Sequence, residues 1–141
     1  MILPDVNVLL YAFREDCVDH ARYRGWLDGV VNGDEAYGMS PQVLCSVARM
    51  ATHPRIFVSP SRLEGAMAFA RALLEQPHCT VVQPGSRHFS IFEDLCRAAL
   101  ASGNLVQDAW FAALAVESGC EWITTDGDFA RFPGLRWRRP F

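Results

Sequence analysis

Short apolar runs alternate along this chain with longer segments in which apolar residues recur every three or four positions. The short runs are MILP, AYGMS, CTVVQP, EWITT and LRWRR. Between them, a spacing such as that of Val6, Leu9, Leu10 and Phe13 predicts a helix with one buried face. Strands that alternate with helices favour a parallel sheet covered by helices. The sequence therefore predicts an α/β protein in which helix outweighs strand.

Residues typical of helix ends occur at the boundaries of the periodic segments. Ser40 is expected to be the N-cap of one helix, because it is followed by proline at the first helical position. Ser61 and Asn104 are expected to be the N-caps of two later helices, each with a glutamate or glutamine three residues on. Gly103 and Gly119 are expected to end helices, because glycine readily adopts a positive φ.

Length and composition describe an ordinary globular chain. It has 141 residues, of which half are hydrophobic, and a net charge of −3. This length is expected of a single domain spanning residues 1–141. No uncharged apolar stretch approaches about twenty residues, and Asp5 interrupts the apolar start, so neither a membrane span nor a signal peptide is expected. Five cysteines without a CxxC pair argue against a disulfide framework or a zinc site. These features favour a cytoplasmic protein.

Three carboxylates directly follow predicted strands. Asp5 follows the first strand, MILP, and both Asp126 and Asp128 follow EWITT. In open parallel sheets, ligands bind beyond the carboxyl ends of the strands. If the two strands are neighbours, we expect these three acids to lie at one edge of the sheet.

A fourth acid, Asp108, lies in the first turns of the predicted helix NLVQDAWFAALAVESG. Ala112 and Ala115 lie near it on the same helix face, and their small side chains allow the helix to approach the sheet closely. Glu117 lies on the opposite side of the helix and is expected to face solvent. We therefore expect Asp108, and not Glu117, to join the other acids.

Each acid also has a purely structural alternative. Asp5 and Asp128 are suitable helix caps, and Asp108 is a favourable charge near a helix N-terminus. Together, however, four carboxylates about 4 Å apart repel by roughly 4 kcal/mol per pair at an effective dielectric constant near 20. A fold gathers them only when a cation offsets the repulsion. Oxygen ligands without a nearby imidazole or thiolate favour Mg²⁺, with Mn²⁺ as a possible substitute.

With these residues identified, the chain resembles the PIN-domain ribonucleases, and within them the VapC-type toxins of bacterial toxin–antitoxin pairs. ILPDVNVLLYA is similar to the family's first strand and first acid, and NLVQDAWFAALAVESGCEWITTDGDFARFPGL is similar to its closing signature. VARMATHPRIF resembles the segment between them. The resemblance covers the whole chain. It implies a PIN-like three-layer α/β/α fold with a short, mainly parallel central sheet flanked by helices.

The resemblance also implies an activity and a set of site residues. The activity is that of a Mg²⁺-dependent endoribonuclease, which hydrolyses RNA phosphodiester bonds. The implied metal ligands and catalytic acids are Asp5, Asp108, Asp126 and Asp128. Asn7 and Thr125, beside the first and third acids, are implied as their polar partners.

One position departs from the family pattern. Ser46 stands where the family usually has a glutamate, three residues before Arg49. A serine can hold a water molecule but supplies no charge, which leaves four acids at the site instead of five. The alternative function is therefore a catalytically weakened PIN-like module that binds RNA or a protein partner.

All 13 basic residues are arginines, and the chain has no lysine. Arginine suits phosphate recognition, although each one is equally well explained as a solvated surface charge. We expect Arg14, Arg49 and Arg55 to contact RNA, and the arginines of LRWRR are further candidates. The absence of lysine argues against haloacid-dehalogenase-type phosphatases and phospho-receiver domains, which also begin with a strand and an aspartate. The partners implied by the resemblance are an RNA substrate, a cognate antitoxin protein and a second copy of the chain in a homodimer.

Overall fold

The computed structural model describes residues 1–141 and contains six α-helices and five short strands. In chain order the elements are β1 (Ile2–Pro4), α1 (Val6–Phe13), α2 (His20–Val31), β2 (Tyr37–Met39), α3 (Pro41–Ala51), α4 (Leu63–Leu74), β3 (Cys79–Val81), α5 (His88–Ala98), α6 (Asn104–Ser118), β4 (Glu121–Ile123), a 3₁₀ turn (Gly127–Arg131) and β5 (Trp137–Arg138). The expected alternation of strands and helices is confirmed. None of the helices is both long and apolar enough to cross a membrane.

All strand pairs are parallel. β4 lies between β1 and β5, and β2 pairs with β3. The register places Pro4 opposite Ile123, so β1 and β4 end side by side. The main-chain N–H of Asp5 donates to the carbonyl of Ile123 at 2.9 Å and extends this pairing by one residue. The first acid and the turn that carries the other strand-end acids are therefore neighbours.

The two groups of strands meet at Gly38. A Cβ atom at this position would lie 3.1 Å from the carbonyl oxygen of Ile2 and 3.5 Å from a methyl carbon of Leu3. Glycine therefore allows β2 to lie directly against β1. The result is the short, parallel α/β core, flanked by helices, that the resemblance implies.

Helix α6 runs through the core. Its alanines Ala109, Ala112, Ala113 and Ala115 are all fully buried. Trp122 of β4 stacks on Phe111 of α6 at 5.8 Å between ring centroids and also contacts Phe129 of the 3₁₀ turn at 5.5 Å. This aromatic stack couples the helix that carries Asp108 to the strand and turn that carry Asp126.

Two of the expected helix N-caps are wrong. Helix α4 begins at Leu63, and the Ser61 hydroxyl accepts a hydrogen bond from Arg14 instead of capping the helix. Asn104 is the first residue of α6, whereas Gly103, with a φ of 57°, is its N-cap and does not end α5.

The other two expected helix ends lie where the sequence placed them. Ser40 is the N-cap residue of α3, although its side chain makes no capping bond. Gly119, with a φ of 69°, ends α6. The pattern therefore located these two boundaries, but the bond that stabilises each boundary depends on the packing around it.

Candidate active site

An acidic cleft of about 420 Å³ lies beyond the carboxyl ends of β1 and β4. Asp5, Asp108 and Asp126 all line it, as do Ser46 and Arg49 of α3. Its walls come from the first turns of α1, the second half of α3, the start of α6 and the turn after β4. The structure therefore brings three of the four predicted acids into one cleft, although the first is separated from the other two by about a hundred residues of sequence.

Asp5 is both a buried carboxylate and a helix cap. Its side chain is 6% exposed and accepts a hydrogen bond from the main-chain N–H of Val6 at 2.6 Å. The hydroxyl of Thr124 donates to its other oxygen at 2.6 Å. Burial is the main reason why the pKa of Asp5 is raised to about 7; the two hydrogen bonds oppose the rise, and the charges of Asp108 and Asp126 add to it. The carboxylate is held in place but is costly to ionise.

Thr124 is the hydroxyl partner that sequence reasoning missed. It is fully buried, and besides donating to Asp5 it accepts from the main-chain N–H of Asp126 at 3.0 Å and from the Asn7 amide at 3.2 Å. Thr125, the predicted partner, contributes only its main-chain N–H, which donates to Asn7 Oδ1 at 3.4 Å. Both threonines follow Ile123, the last residue of β4, so strand alternation does not distinguish them. The distinction depends on how the chain turns after the strand, for which the sequence gives no signal.

Asp108 is half-buried, and no hydrogen bond contributes to its pKa. Burial, together with the negative charges of Asp126 and Asp128, raises that pKa to about 6. Its side chain is therefore close enough to both acids to be repelled by them. Asp108 is the least restrained carboxylate of the cleft.

The two acids of the turn differ in their surroundings. Asp126 lines the cleft and caps the 3₁₀ turn, because its side chain accepts from the main-chain N–H of Asp128 at 2.8 Å. Asp128 is exposed and is not part of the cleft lining, and its side chain affects the cleft through its charge near Asp108. The cap of this turn is thus Asp126, and not Asp128 as the structural alternative suggested.

The donor set fits a hard divalent cation in its chemistry and its charge. The cleft gathers carboxylate oxygens beside the Asn7 amide and the Ser46 hydroxyl. Burial, with a smaller contribution from mutual repulsion, raises the pKa values of Asp5 and Asp108, so a bound cation would favour their ionised forms. No group of three acidic, histidine or cysteine side chains converges closely enough to hold a metal ion. The charge of the cleft therefore favours a cation, although its side chains do not form a closed set of three such ligands in this arrangement.

The three arginines expected to contact RNA lie in different environments. Arg49 lines the cleft, is exposed and forms no ion pair. Arg55 lies outside the cleft on the exposed loop between α3 and α4. Arg14 is buried at 8% exposure, so little of its side chain is accessible to RNA in this arrangement.

The partners of Arg14 explain its burial. Its guanidinium pairs with Asp16 at 2.5 Å and donates to the carbonyl of Ser59 and the hydroxyl of Ser61, both at 2.9 Å. It also lies 3.8 Å from the centre of the Phe57 ring. Arg14 therefore joins the end of α1 to the loop before α4. The hydrophobic spacing of α1 gives no information about partners so distant in sequence.

Glu117 lies away from the cleft, as expected, but it does not simply face solvent. Its two oxygens accept from the main-chain N–H groups of Gly85 at 2.7 Å and Arg87 at 3.0 Å. Slight burial raises the pKa of Glu117, but these bonds outweigh it and hold that pKa below its usual value. Glu117 thus anchors the segment before α5 to α6, which is a structural role.

Parallel strands with carboxylates gathered beyond their ends define an α/β protein with an acidic cleft at the edge of its sheet. The sequence model of one such family, the PIN domain, matches residues 2–135, and the chain belongs to this family. It is 41% identical to ribonuclease VapC43 of Mycobacterium tuberculosis over 140 residues, which cover 99% of this chain and 95% of that protein. It is 42% identical to ribonuclease VapC25 of the same species, with 99% of each chain covered.

Solved structures show the same fold. VapBC-1 from nontypeable Haemophilus influenzae superposes with a TM-score of 0.71 at 20% identity, covering 99% of this chain and 98% of that one. The Mycobacterium tuberculosis toxin VapC20, described as cleaving the sarcin–ricin loop, superposes with a TM-score of 0.65 at 18% identity, covering 96% and 99%. These similarities confirm the PIN fold. They also set the chain apart from the phosphatase and receiver classes.

Proposed function

We propose that this protein is a Mg²⁺-dependent endoribonuclease and the toxin of a toxin–antitoxin pair. The observation that carries the proposal is the cleft in which Asp5, Asp108 and Asp126 meet beyond two parallel strand ends. Such a cleft repels an RNA phosphate unless a cation is present, so its charge suits a metal-dependent reaction on an anionic substrate. The full-length similarity to proteins named VapC ribonucleases supports RNA as that substrate.

Each acid has a distinct part in this proposal. Asp5, fixed by Thr124 and Val6, supplies a ligand oxygen whose position the fold determines. Asp108, without a restraining hydrogen bond, is free to complete the ligand set together with Asp126. A Mg²⁺ ion held by these acids would supply positive charge to orient the scissile phosphate, lower the pKa of water and stabilise charge on the leaving oxygen. Asp128 contributes negative charge from the rim.

The decisive experiment replaces Asp108 with asparagine. We expect Asp108→Asn to lower RNA cleavage at least about a hundredfold, because it removes one ligand charge while keeping the size of the side chain. Cleavage of tRNA, ribosomal RNA and mRNA would be compared in Mg²⁺ and in EDTA. Asp94→Asn is the matched control, because Asp94 is an exposed acid on α5 outside the cleft. Wild-type cleavage by Asp108→Asn would contradict the site.

The same assay addresses the alternative function. A catalytically weakened module would bind RNA or a protein partner but cleave none of these RNAs in Mg²⁺. Cleavage by the wild-type protein that EDTA abolishes would exclude this alternative. The test is needed because Ser46 lines the cleft where the family usually has a glutamate, and this change could weaken catalysis.

The structural relatives support an antitoxin as a partner of this chain. The structural relatives from Haemophilus influenzae and Rickettsia felis are described as VapBC assemblies. We propose that this chain likewise binds a cognate antitoxin, that it forms a homodimer, and that it acts in the cytoplasm, where RNA is accessible to it. Co-expression with the protein encoded by an adjacent small gene, followed by co-purification, would test the first of these points.

A further inference from the structure

A row of three aromatic side chains leads out of the acidic cleft. Tyr11 of α1 lines the cleft and contacts Tyr23 of α2, with 5.1 Å between ring centroids. Tyr23 in turn contacts Phe141 at 4.9 Å. Phe141 is 47% exposed, and the two tyrosines are partly exposed. The aromatic row, Tyr11–Tyr23–Phe141, is therefore partly exposed along its length and most exposed at Phe141, and it begins in the cleft that carries the acids.

Two arginines accompany the aromatic row. The guanidinium of Arg22 lies 4.0 Å from the centre of the Phe141 ring. Burial raises the pKa of Tyr23, and the positive charges of Arg22 and Arg139 oppose that rise, which places both guanidiniums near the phenol. Tyr11 and Asp19 also act on this phenol and raise its pKa further. The row thus combines one exposed ring and two partly exposed rings with two nearby cations.

These two arginines differ from others nearby because their side chains have no protein acceptor. Arg138 pairs with Glu121 at 3.0 Å, and Arg136 donates to the carbonyl of Gly119. Arg22 and Arg139 are exposed and form no ion pair. Their charges are therefore available to an anionic ligand.

We propose that the aromatic row, with Arg22 and Arg139, binds single-stranded RNA on one side of the scissile bond, an inference that rests on the proposed ribonuclease function. Bases stack on aromatic rings and on guanidinium planes, and arginines contact the phosphates between them. Stacking tolerates any base, so the row supplies affinity and direction with little sequence preference. It holds the strand that enters the cleft at Tyr11.

The charge of the cleft explains why such a surface is needed. Asp5, Asp108 and Asp126 line the place where the phosphate must react, and Arg49 is the sole basic side chain of that lining. Most of the binding free energy for RNA must therefore come from outside the cleft. The row is contiguous with the cleft and carries positive charge, which suits a polyanion with stacking bases better than an apolar protein segment.

The test measures RNA binding separately from cleavage. The probe is a short fluorescein-labelled single-stranded RNA of mixed sequence, titrated by anisotropy in EDTA at several salt concentrations. We expect Arg22→Gln/Arg139→Gln to weaken binding and to reduce the salt slope by about 0.7 for each lost phosphate contact. We expect Phe141→Ala to raise Kd about five- to hundredfold. In Mg²⁺, both variants should lose cleavage mainly through a higher KM.

Matched controls remove the same groups elsewhere. Arg62→Gln/Arg87→Gln removes two exposed charges outside the cleft, and Phe89→Ala removes an aromatic ring that is 60% exposed on α5. Both controls should bind the probe as the wild-type protein does. Circular dichroism establishes whether each variant is folded. If Phe141→Ala does not fold, the variant without the two arginines still tests the inference.

The outcomes separate this inference from the proposed function. Wild-type affinity and salt slope in both row variants would overturn the inference, even if the protein cleaves RNA. Loss of antitoxin binding with unchanged RNA binding would also overturn it and would assign the row to a protein partner. A wild-type protein that binds the probe through the row but never cleaves in Mg²⁺ would overturn the proposed function and leave the row in place.

Discussion

At the scale of single residues, Asp5 illustrates how one side chain serves both fold and site. It caps α1 through Val6 and accepts the Thr124 hydroxyl, so its position is determined by the fold. Its burial beside Asp108 and Asp126 makes ionisation costly, and burial is the larger cause of its raised pKa. The protein accepts this cost at a position where a bound cation would remove it.

The raised pKa of Asp5 predicts an unusual dependence of stability on pH. Between its ordinary value of 3.8 and about 7, the folded metal-free protein holds a proton that the unfolded chain has lost. Stability therefore falls as the pH rises through this range. We expect the Tm of metal-free protein to be at least about 5 °C higher near pH 5 than near pH 8. Differential scanning calorimetry in EDTA would measure it.

Two comparisons isolate the cause of this effect. Asp5→Asn should reduce the dependence, because asparagine does not titrate. The part that remains belongs to Asp108, whose pKa is also raised, to about 6. Saturating Mg²⁺ should raise the Tm near pH 8, because a ligand that binds only the folded protein stabilises it. A Tm that rises steadily from pH 5 to pH 8 in metal-free wild-type protein would contradict the buried-charge account.

Ser46 offers a second prediction at this scale. A glutamate at this position would add a fourth acid to the three that line the cleft. We expect Ser46→Glu to lower the Mg²⁺ concentration for half-maximal cleavage by roughly tenfold. Ser46→Gln, of equal size without charge, should not lower it. If both variants behave alike, charge at this position has no part in metal binding.

At the scale of elements, Arg14 joins two walls of the cleft. It lies at the end of α1, which carries Tyr11 into the cleft, and binds the loop that follows α3, which carries Arg49. Its partners Ser59 and Ser61 lie 45 and 47 residues further along the chain. Arg14 therefore adds a contact outside the cleft to the direct packing of α1 against α3.

The burial of Arg14 predicts a structural loss on substitution. Arg14→Gln removes the ion pair with Asp16, a charged hydrogen bond to each serine and the contact with Phe57. We expect it to lower the free energy of unfolding by about 2–4 kcal/mol, measured by urea denaturation. The RNA affinity of the folded fraction should stay at the wild-type value.

The control for Arg14 is an exposed pair. Arg24 and Asp28 form an ion pair at 3.0 Å with both side chains about half exposed. Arg24→Gln should lower the free energy of unfolding by less than about 0.5 kcal/mol. Equal costs for the two variants would mean that the contacts of Arg14 contribute no more than a surface pair.

At the scale of the whole molecule, α6 connects the core to the site. Its fully buried alanines allow the helix to lie close to the sheet, and Asp108 lies about one turn before Ala112. Any displacement of α6 therefore moves a carboxylate of the cleft. The packing of α6 in the core therefore also determines where Asp108 lies in the cleft.

Overpacking this helix should reduce both stability and activity. We expect Ala112→Val to lower the free energy of unfolding by about 1–3 kcal/mol, because the added methyl groups have no space in a filled core. Cleavage by the folded protein should also fall, because Asp108 is displaced. Urea denaturation and cleavage assays in Mg²⁺ would measure the two effects.

The matched control is Ala68→Val on the exposed side of α4. It introduces the same β-branched residue into a helix and should lower the free energy of unfolding by about 0.5 kcal/mol, because valine has a lower helix propensity than alanine. Its cleavage should be unchanged. A similar loss of activity in Ala68→Val would mean that Ala112 acts only through general stability.

The sequence by itself determined the features that depend on neighbouring residues along the chain. Hydrophobic period and flanking polar residues predicted the strands, the helices and the placement of Asp5 and Asp126 at strand ends. The family motifs added the PIN fold. Only the tertiary structure decided the contacts between segments that are distant in sequence. These are the hydrogen bond of Thr124, instead of Thr125, to Asp5, the buried contacts of Arg14, and the row from Tyr11 to Phe141. It also placed Asp128 at the rim of the cleft. A local pattern reports which face of an element is buried, but the partner it meets depends on how all the elements pack together.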